Sequence, residues 1–222
     1  MRPSDAPSVW EIDVASRRPL RRHAGISGRI YPIPETENDA EGHARDLLLI
    51  SDTKTDRVHI FNKKNLTDET KVITLDVPGG PGKMSFFNTV DDASSAAHWL
   101  AFIALGSDEA DSGVAVVDIG EVLAGNLTYS LINVGPGRMY RSIERGGPWV
   151  LTPVAEGGGS YTGVAVIDAR TGDFRNLSNV TDAQSLLWMP HWTEHELTDK
   201  VGVIGNTPDD AGERRKLRGG LM

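Results

Sequence analysis

Short runs in which apolar and polar residues alternate dominate the chain. In ITLDV (73–77), Ile73, Leu75 and Val77 alternate with Thr74 and Asp76, the period-2 pattern of a half-buried strand. DLLLISDT (46–53) is an apolar run ending in a turn, and RVHIFN (57–62) is a strand that reaches 73–77 through a polar turn. SGVAVVDI (112–119) and TGVAVIDARTGDFRNL (162–177) read as strand then turn, with Asp-x-x-Thr-Gly supplying a tight reversal. Helical periodicity is scarce: IGEVLAGNL (119–127) allows one or two turns, and 183–197 is a second weak candidate.

The chain also matches itself. The 21 residues from Trp99 align without a gap on those from Trp149, a shift of 50 that sets Gly113-Val114-Ala115-Val116-Val117-Asp118 on Gly163-Val164-Ala165-Val166-Ile167-Asp168. Weaker copies, DRVHIFN (56–62) and SVWEIDV (8–14), extend the register to Val9, Val58, Val114 and Val164. Several short strands recurring at such a period are the pattern of propeller blades, because one small sheet cannot shield both of its faces and needs neighbours. The glycine before each GVAV strand suits a tight backbone approach. Residues 9–20 resemble the later half of a blade and 200–206 an early strand, so the expectation is an all-β propeller of about four blades, closed by N- and C-terminal strands, or a segment of a larger one. A single domain over 8–206 with flexible termini at 1–7 and 207–222 follows from the same reading.

Composition narrows the chemistry. The 24 glycines and 12 prolines among 222 residues favour strands and turns over long helices. The absence of cysteine excludes thiol catalysis, disulfides and zinc–thiolate sites. A net charge of −8 argues against a nucleic-acid partner. The basic clusters Arg17-Arg18 with Arg21-Arg22 and Arg214-Arg215-Lys216 with Arg218 read as solvated ends. No apolar run approaches the ~20 residues of a membrane span, and the first residues have no signal-peptide apolar stretch. The expected partner is a small molecule or protein, with no nucleic acid and no membrane. The compartment stays open: secreted or periplasmic if a signal is missing from the sequence, otherwise cytoplasmic.

The units LLLISDTKTDRVHIFNKKNLTDETKVITLDV and GVAVIDARTGDFRNL resemble the repeats of YVTN/lactonase-like β-propellers. The likeness is carried by Ser51, Asp52, Thr53, Val58, Ile60, Phe61 and Asn62, and by Val164, Val166, Ile167, Asp168, Thr171 and Gly172. The family's S-P-D-G turn is absent. The resemblance implies a propeller fold and admits sugar-lactone hydrolases, electron-transfer subunits and binding proteins.

Several candidate sites stand out. VPGGPGKM (77–84) and NVGPGRMYRS (133–142) share G-P-G-[KR]-M at a shift of 55, close to the blade step. Lys83, Arg138, Tyr140 and Arg141 are therefore candidates for an anion or carboxylate ligand at inter-blade connections, against the plainer reading of a structural turn with a solvated cation. His191, Glu194 and His195 spell H-x-x-E-H, a zinc-peptidase pattern only if a regular helix carries it; a loop packed by Trp188 and Trp192 is the plainer alternative. His23, His98 and His191 are a second candidate set for a divalent metal at a channel mouth. Asn65, Asn126, Asn176 and Asn179 begin N-x-[ST] sequons, read first as turn residues. The favoured function is a binding or interaction module using loops 78–84, 135–142 and 186–196. The alternative is a metal- or cation-assisted hydrolase of the lactonase kind, with a zinc peptidase a remote third.

Overall fold

The structure, a computed structural model, describes residues 8–33, 47–62, 72–89, 99–106, 113–134, 138–139, 143–146, 148–156, 160–177, 183–192, 197–205 and 220–221. The strands form five antiparallel sheets. Sheet I is a ribbon of β1 (Ser8–Asp13) and β2 (Arg18–Ala24). Sheet II runs in chain order through β3 (Arg29–Pro32), β4 (Leu47–Asp52), β5 (Arg57–Asn62) and β6 (Ile73–Asp76). Sheet III repeats that order with β7 (Pro81–Asn88), β8 (Trp99–Leu105), β9 (Val114–Asp118) and β10 (Ser130–Ile132). In sheet IV, β11 (Arg138–Met139) and β12 (Glu144–Gly146) share one edge of β13 (Trp149–Glu156), followed by β14 (Ser160–Asp168) and β15 (Phe174–Leu177). Sheet V joins β16 (Ala183–Trp192), β17 (Leu197–Gly205) and β18 (Gly220–Leu221).

The fold is thus all-β and antiparallel. The expected turn after β9 is α1 (Ile119–Leu123), but 183–192 is strand and not helix. Its partner β17 runs antiparallel to it, and cross-strand pairing overrides a weak helical pattern. Among the described residues β1 pairs with β2, while the second edge of β17 carries β18 at Gly202 and Val203. A shared sheet of first and last strands is therefore not among the described pairings, and Gly220–Leu221 are strand within a tail expected to be flexible.

Two apolar clusters tie sheets II, III and IV together, and the period of 2 decides which residue joins which. On β8, Trp99, Ala101, Ile103 and Leu105 join Leu47, Leu49, Val58, Ile60 and Leu75 of sheet II. The alternate residues Phe102 and Ala104 join Val150, Val154, Ala165 and Ile167 of sheet IV. Sheet III is therefore covered on both faces, and each fully buried Val, Leu, Ile or Phe contributes roughly 1.5–3 kcal/mol. The other face of sheet II carries Phe61, on which His23 of sheet I stands edge-on with ring centroids 5.4 Å apart. The other face of sheet IV, with Leu151, Val164 and Val166 buried, meets β16.

The sequence register turns out to be a register of packing direction. Val58 faces sheet III and Val114 faces sheet IV. Val164 sits on the face of sheet IV turned from sheet III, and Val9, directly opposite His23, faces sheet II. Each register valine points at the following sheet. The matched tryptophans do not obey the shift of 50. Val164 follows Val114 by 50 residues, but its partner Pro153 follows Ala104, the partner of Val114, by 49. A one-residue offset turns a side chain to the opposite face. Trp99 is accordingly 3% exposed and Trp149 39%.

Turn chemistry recurs with the strands. Asp13, Asp118 and Asp168 each end the strand bearing a register valine and accept a nearby backbone N–H, from Ala15 and Ser16, from Glu121, and from Arg170 respectively. Gly113 is required where expected, since a Cβ there would stand 2.5 Å from the Ile132 carbonyl oxygen.

Candidate functional site

The connection from sheet II to sheet III holds the one fully described part of the G-P-G-[KR]-M pair. Gly79 and Gly80 adopt left-handed backbone (φ 102 and 69), which lets the chain reverse before β7. The β4–β5 turn fastens it. Thr53 Oγ1 donates to the Pro81 carbonyl oxygen at 2.7 Å, and the Gly80 N–H donates to Asp56 Oδ1 at 2.9 Å. The Val77 N–H also donates to the Asp56 carbonyl at 2.7 Å. Asp52, buried at the end of β4, accepts from the backbone N–H groups of Lys54 and Ser27 and from the Ser27 hydroxyl. Burial works to raise its carboxyl, but these donors and Thr55 outweigh it and hold it below the ordinary value. Within Ser51-Asp52-Thr53, part of the family likeness, Thr53 is thus the latch onto the next sheet, while Asp52 fixes the turn from which it reaches.

The latch positions cations. The ladder between Pro81 and Met84 is irregular, and Lys83 emerges half-buried inside that irregularity. On β3, Arg29 pairs with Ser51 and Tyr31 with Leu49, so Arg29 and Tyr31 share the face of sheet II that meets sheet III. Burial, and next the Arg29 guanidinium, push the Lys83 ammonium below its ordinary value. Burial raises the Tyr31 phenol, against the pull of Arg29 and Ser51. Two like charges and a half-buried phenol from successive sheets converge on one seam, an arrangement suited to a carboxylate or phosphate. The next seam has its own cation. The Arg145 guanidinium of β12 lies over the Phe87 ring of β7, 5.8 Å from its centroid, and burial lowers it although the residue as a whole is exposed. Arg29 and Arg145 were missed in the sequence because nothing in the motif marks them; each is placed by the ladder of its strand.

The other candidates disperse. Arg138 begins β11, the start of a sheet like Lys83, with its backbone alone described. Tyr140, Arg141, His98 and His195 lie outside the described residues. His191 sits on β16 opposite Thr198, so the backbone around it is strand, and the helix that H-x-x-E-H needs is not formed there. The proposed loop 186–196 is strand as far as 192. His23 is buried between sheets I and II on Phe61 rather than at a loop. His59, set aside in the sequence reading, is buried on the same face as Phe61, with Nδ1 3.1 Å from Thr74 Oγ1. Among the described residues no three His, Asp or Glu side chains are grouped to hold a metal. Two sequons are structural: Asn176 Nδ2 donates to the Val134 carbonyl across sheets III and IV at 2.9 Å, and Asn126 Nδ2 donates to Glu121 Oε2 at 2.6 Å. Asn65 and Asn179 lie outside the described residues.

No protein-family model, curated protein or solved structure matches the chain.

Proposed function

We propose that the chain is a propeller-type binding module that captures an anionic small molecule, a carboxylate or a phosphate, at the seam between sheets II and III. In this reading the four-strand meanders are blades, β1–β2 take the third and fourth strand positions of a blade, and β16–β17 the first and second. Its support is the succession of first strands, with β7 packed on β3 and β12 packed on both β7 and β16. The observation that carries the ligand class is the placing of Arg29 and Lys83 on that one seam, where burial and next the Arg29 guanidinium hold the Lys83 ammonium below its ordinary value and a bound anion would offset both.

Isothermal titration with inorganic phosphate and with succinate tests the reading. Binding of one of them should weaken at least about tenfold in Lys83→Met and in Arg29→Gln, since a charge-assisted hydrogen bond is worth about 1.5–3 kcal/mol. Binding unchanged in both variants, or absent from the unaltered protein, rejects it.

A further inference from the structure

The repeat leaves two strand edges and one sheet face unmatched. In sheets II, III and IV the second strand carries a long third strand on its outer edge, β5, β9 and β14 respectively. In sheet V the second strand, β17, carries β18 there instead, two residues long and paired at Gly202 and Val203. The strand that bears the first register valine, β1, has β2 on one edge and no described strand on the other. Its back-facing Trp10 and Ile12 are 52% and 59% exposed. Their equivalents, Ala115 and Val117 in sheet III and Ala165 and Ile167 in sheet IV, are buried against the preceding sheet.

The ladders bring these features to one place. Val58, Val114 and Val164 stand opposite Ser51, Ala104 and Pro153 of their second strands. Those three partners follow one another by 53 and 49 residues, and the same interval past Pro153 leads to 202–206. Gly202 and Val203 fall inside that window, so β18 is seated where the strand bearing Val9 would pair. An edge offers its N–H and C=O groups to whichever segment reaches it, and one rung serves one partner at a time. Proximity along the chain favours β18, since Gly220 is 17 residues from Val203 and Val9 is 194. Extent favours β1, with six residues against two and the apolar surface of Trp10 and Ile12 still to bury.

We infer that β18 and β1 are alternative third strands for β17. With β18 in place the series of sheets is held open; its release lets β1 pair with β17 and turns Trp10 and Ile12 toward sheet IV, whose forward face already meets β16. The inference rests on the blade reading proposed above, but not on its ligand.

Because the chain has no cysteine, introduced thiols report without background. Val203→Cys is combined in turn with Ser8→Cys, Val9→Cys and Trp10→Cys in the full chain. Each pair is made with and without the double change Gly220→Pro, Leu221→Pro, which removes both N–H groups of β18. Mild oxidation should cross-link at least one pair within a single molecule, since residues facing each other across a ladder lie within disulfide reach. The cross-link should form slowly with β18 unaltered and at least about tenfold faster with the prolines, as the open state loses its competitor. A maleimide should label a single Ile12→Cys readily with β18 unaltered, and at least about tenfold more slowly with the prolines. Slow cross-linking in the unaltered background is required in its own right and does not depend on how well the proline variant folds. Equal cross-linking rates in the two backgrounds, or equal labelling, overturn the inference and leave the composite blade standing. No cross-link from any pair in either background, or cross-links only between two molecules, removes both.

Discussion

Sheets I and III are built from the same motif and meet opposite fates. In sheet III, Val114 faces forward and Ala115 and Val117 face back, and neighbours cover both sides. In sheet I, Val9 faces forward onto sheet II, while Trp10 and Ile12 face back into solvent. The motif specifies two apolar faces, but burial is granted only by position in the array. An apolar side chain therefore holds the fold in one copy and offers a surface in the other.

That contrast can be broken from both ends. Phe102→Ala should cost about 3–5 kcal/mol in chemical denaturation, because Phe102 is 1% exposed in the seam of sheets III and IV. Ile12→Ala should stay within about 0.5 kcal/mol for the single molecule, as an exposed site does; a large loss would mean that the ribbon's outer face is covered. Gly113→Ala should cost about 1–3 kcal/mol, since its Cβ meets backbone oxygen that cannot swing aside.

The seam of sheets I and II should respond to acid where that of sheets III and IV does not. Burial, seconded by Arg57 and opposed by Asp52, pushes His59 below its ordinary value. The folded state therefore disfavours the proton. Stability is full above the unfolded value of about 6.5 and declines as pH falls through it. His59→Gln should flatten that part of the thermal-midpoint profile, and an unchanged profile would assign the titration elsewhere. The smallest effect belongs to the exposed Arg57–Asp76 pair at 3.0 Å, where Arg57→Gln should shift stability by about 0–1 kcal/mol.

The alternation in 73–77, the repeated GVAV strands and the Asp turns made the antiparallel sheets legible in the sequence, since each depends on neighbours a few residues away. Lys83 was legible as well, because its motif occurs twice. Arg29, Tyr31 and Arg145 were not, for they belong to no motif and reach the seams only through the pairings of β3 with β4 and β12 with β13. His191, expected in a loop with a helix as the remoter reading, was not legible as strand for a related reason: its pattern is local, and the pairing with β17 that makes it a strand is not. The equation of Trp99 with Trp149 failed too, because a one-residue offset in a ladder is invisible in an ungapped match yet reverses the face.

By itself, then, the sequence determined which residues form strands, where the turns fall and that each sheet has two apolar faces, all consequences of backbone geometry and side-chain period. The tertiary structure alone decided which sheet covers which face, which cations meet, and that Trp10 and Ile12 are left in water. Burial and electrostatic proximity are properties of segments far apart in the chain, and no local pattern encodes them.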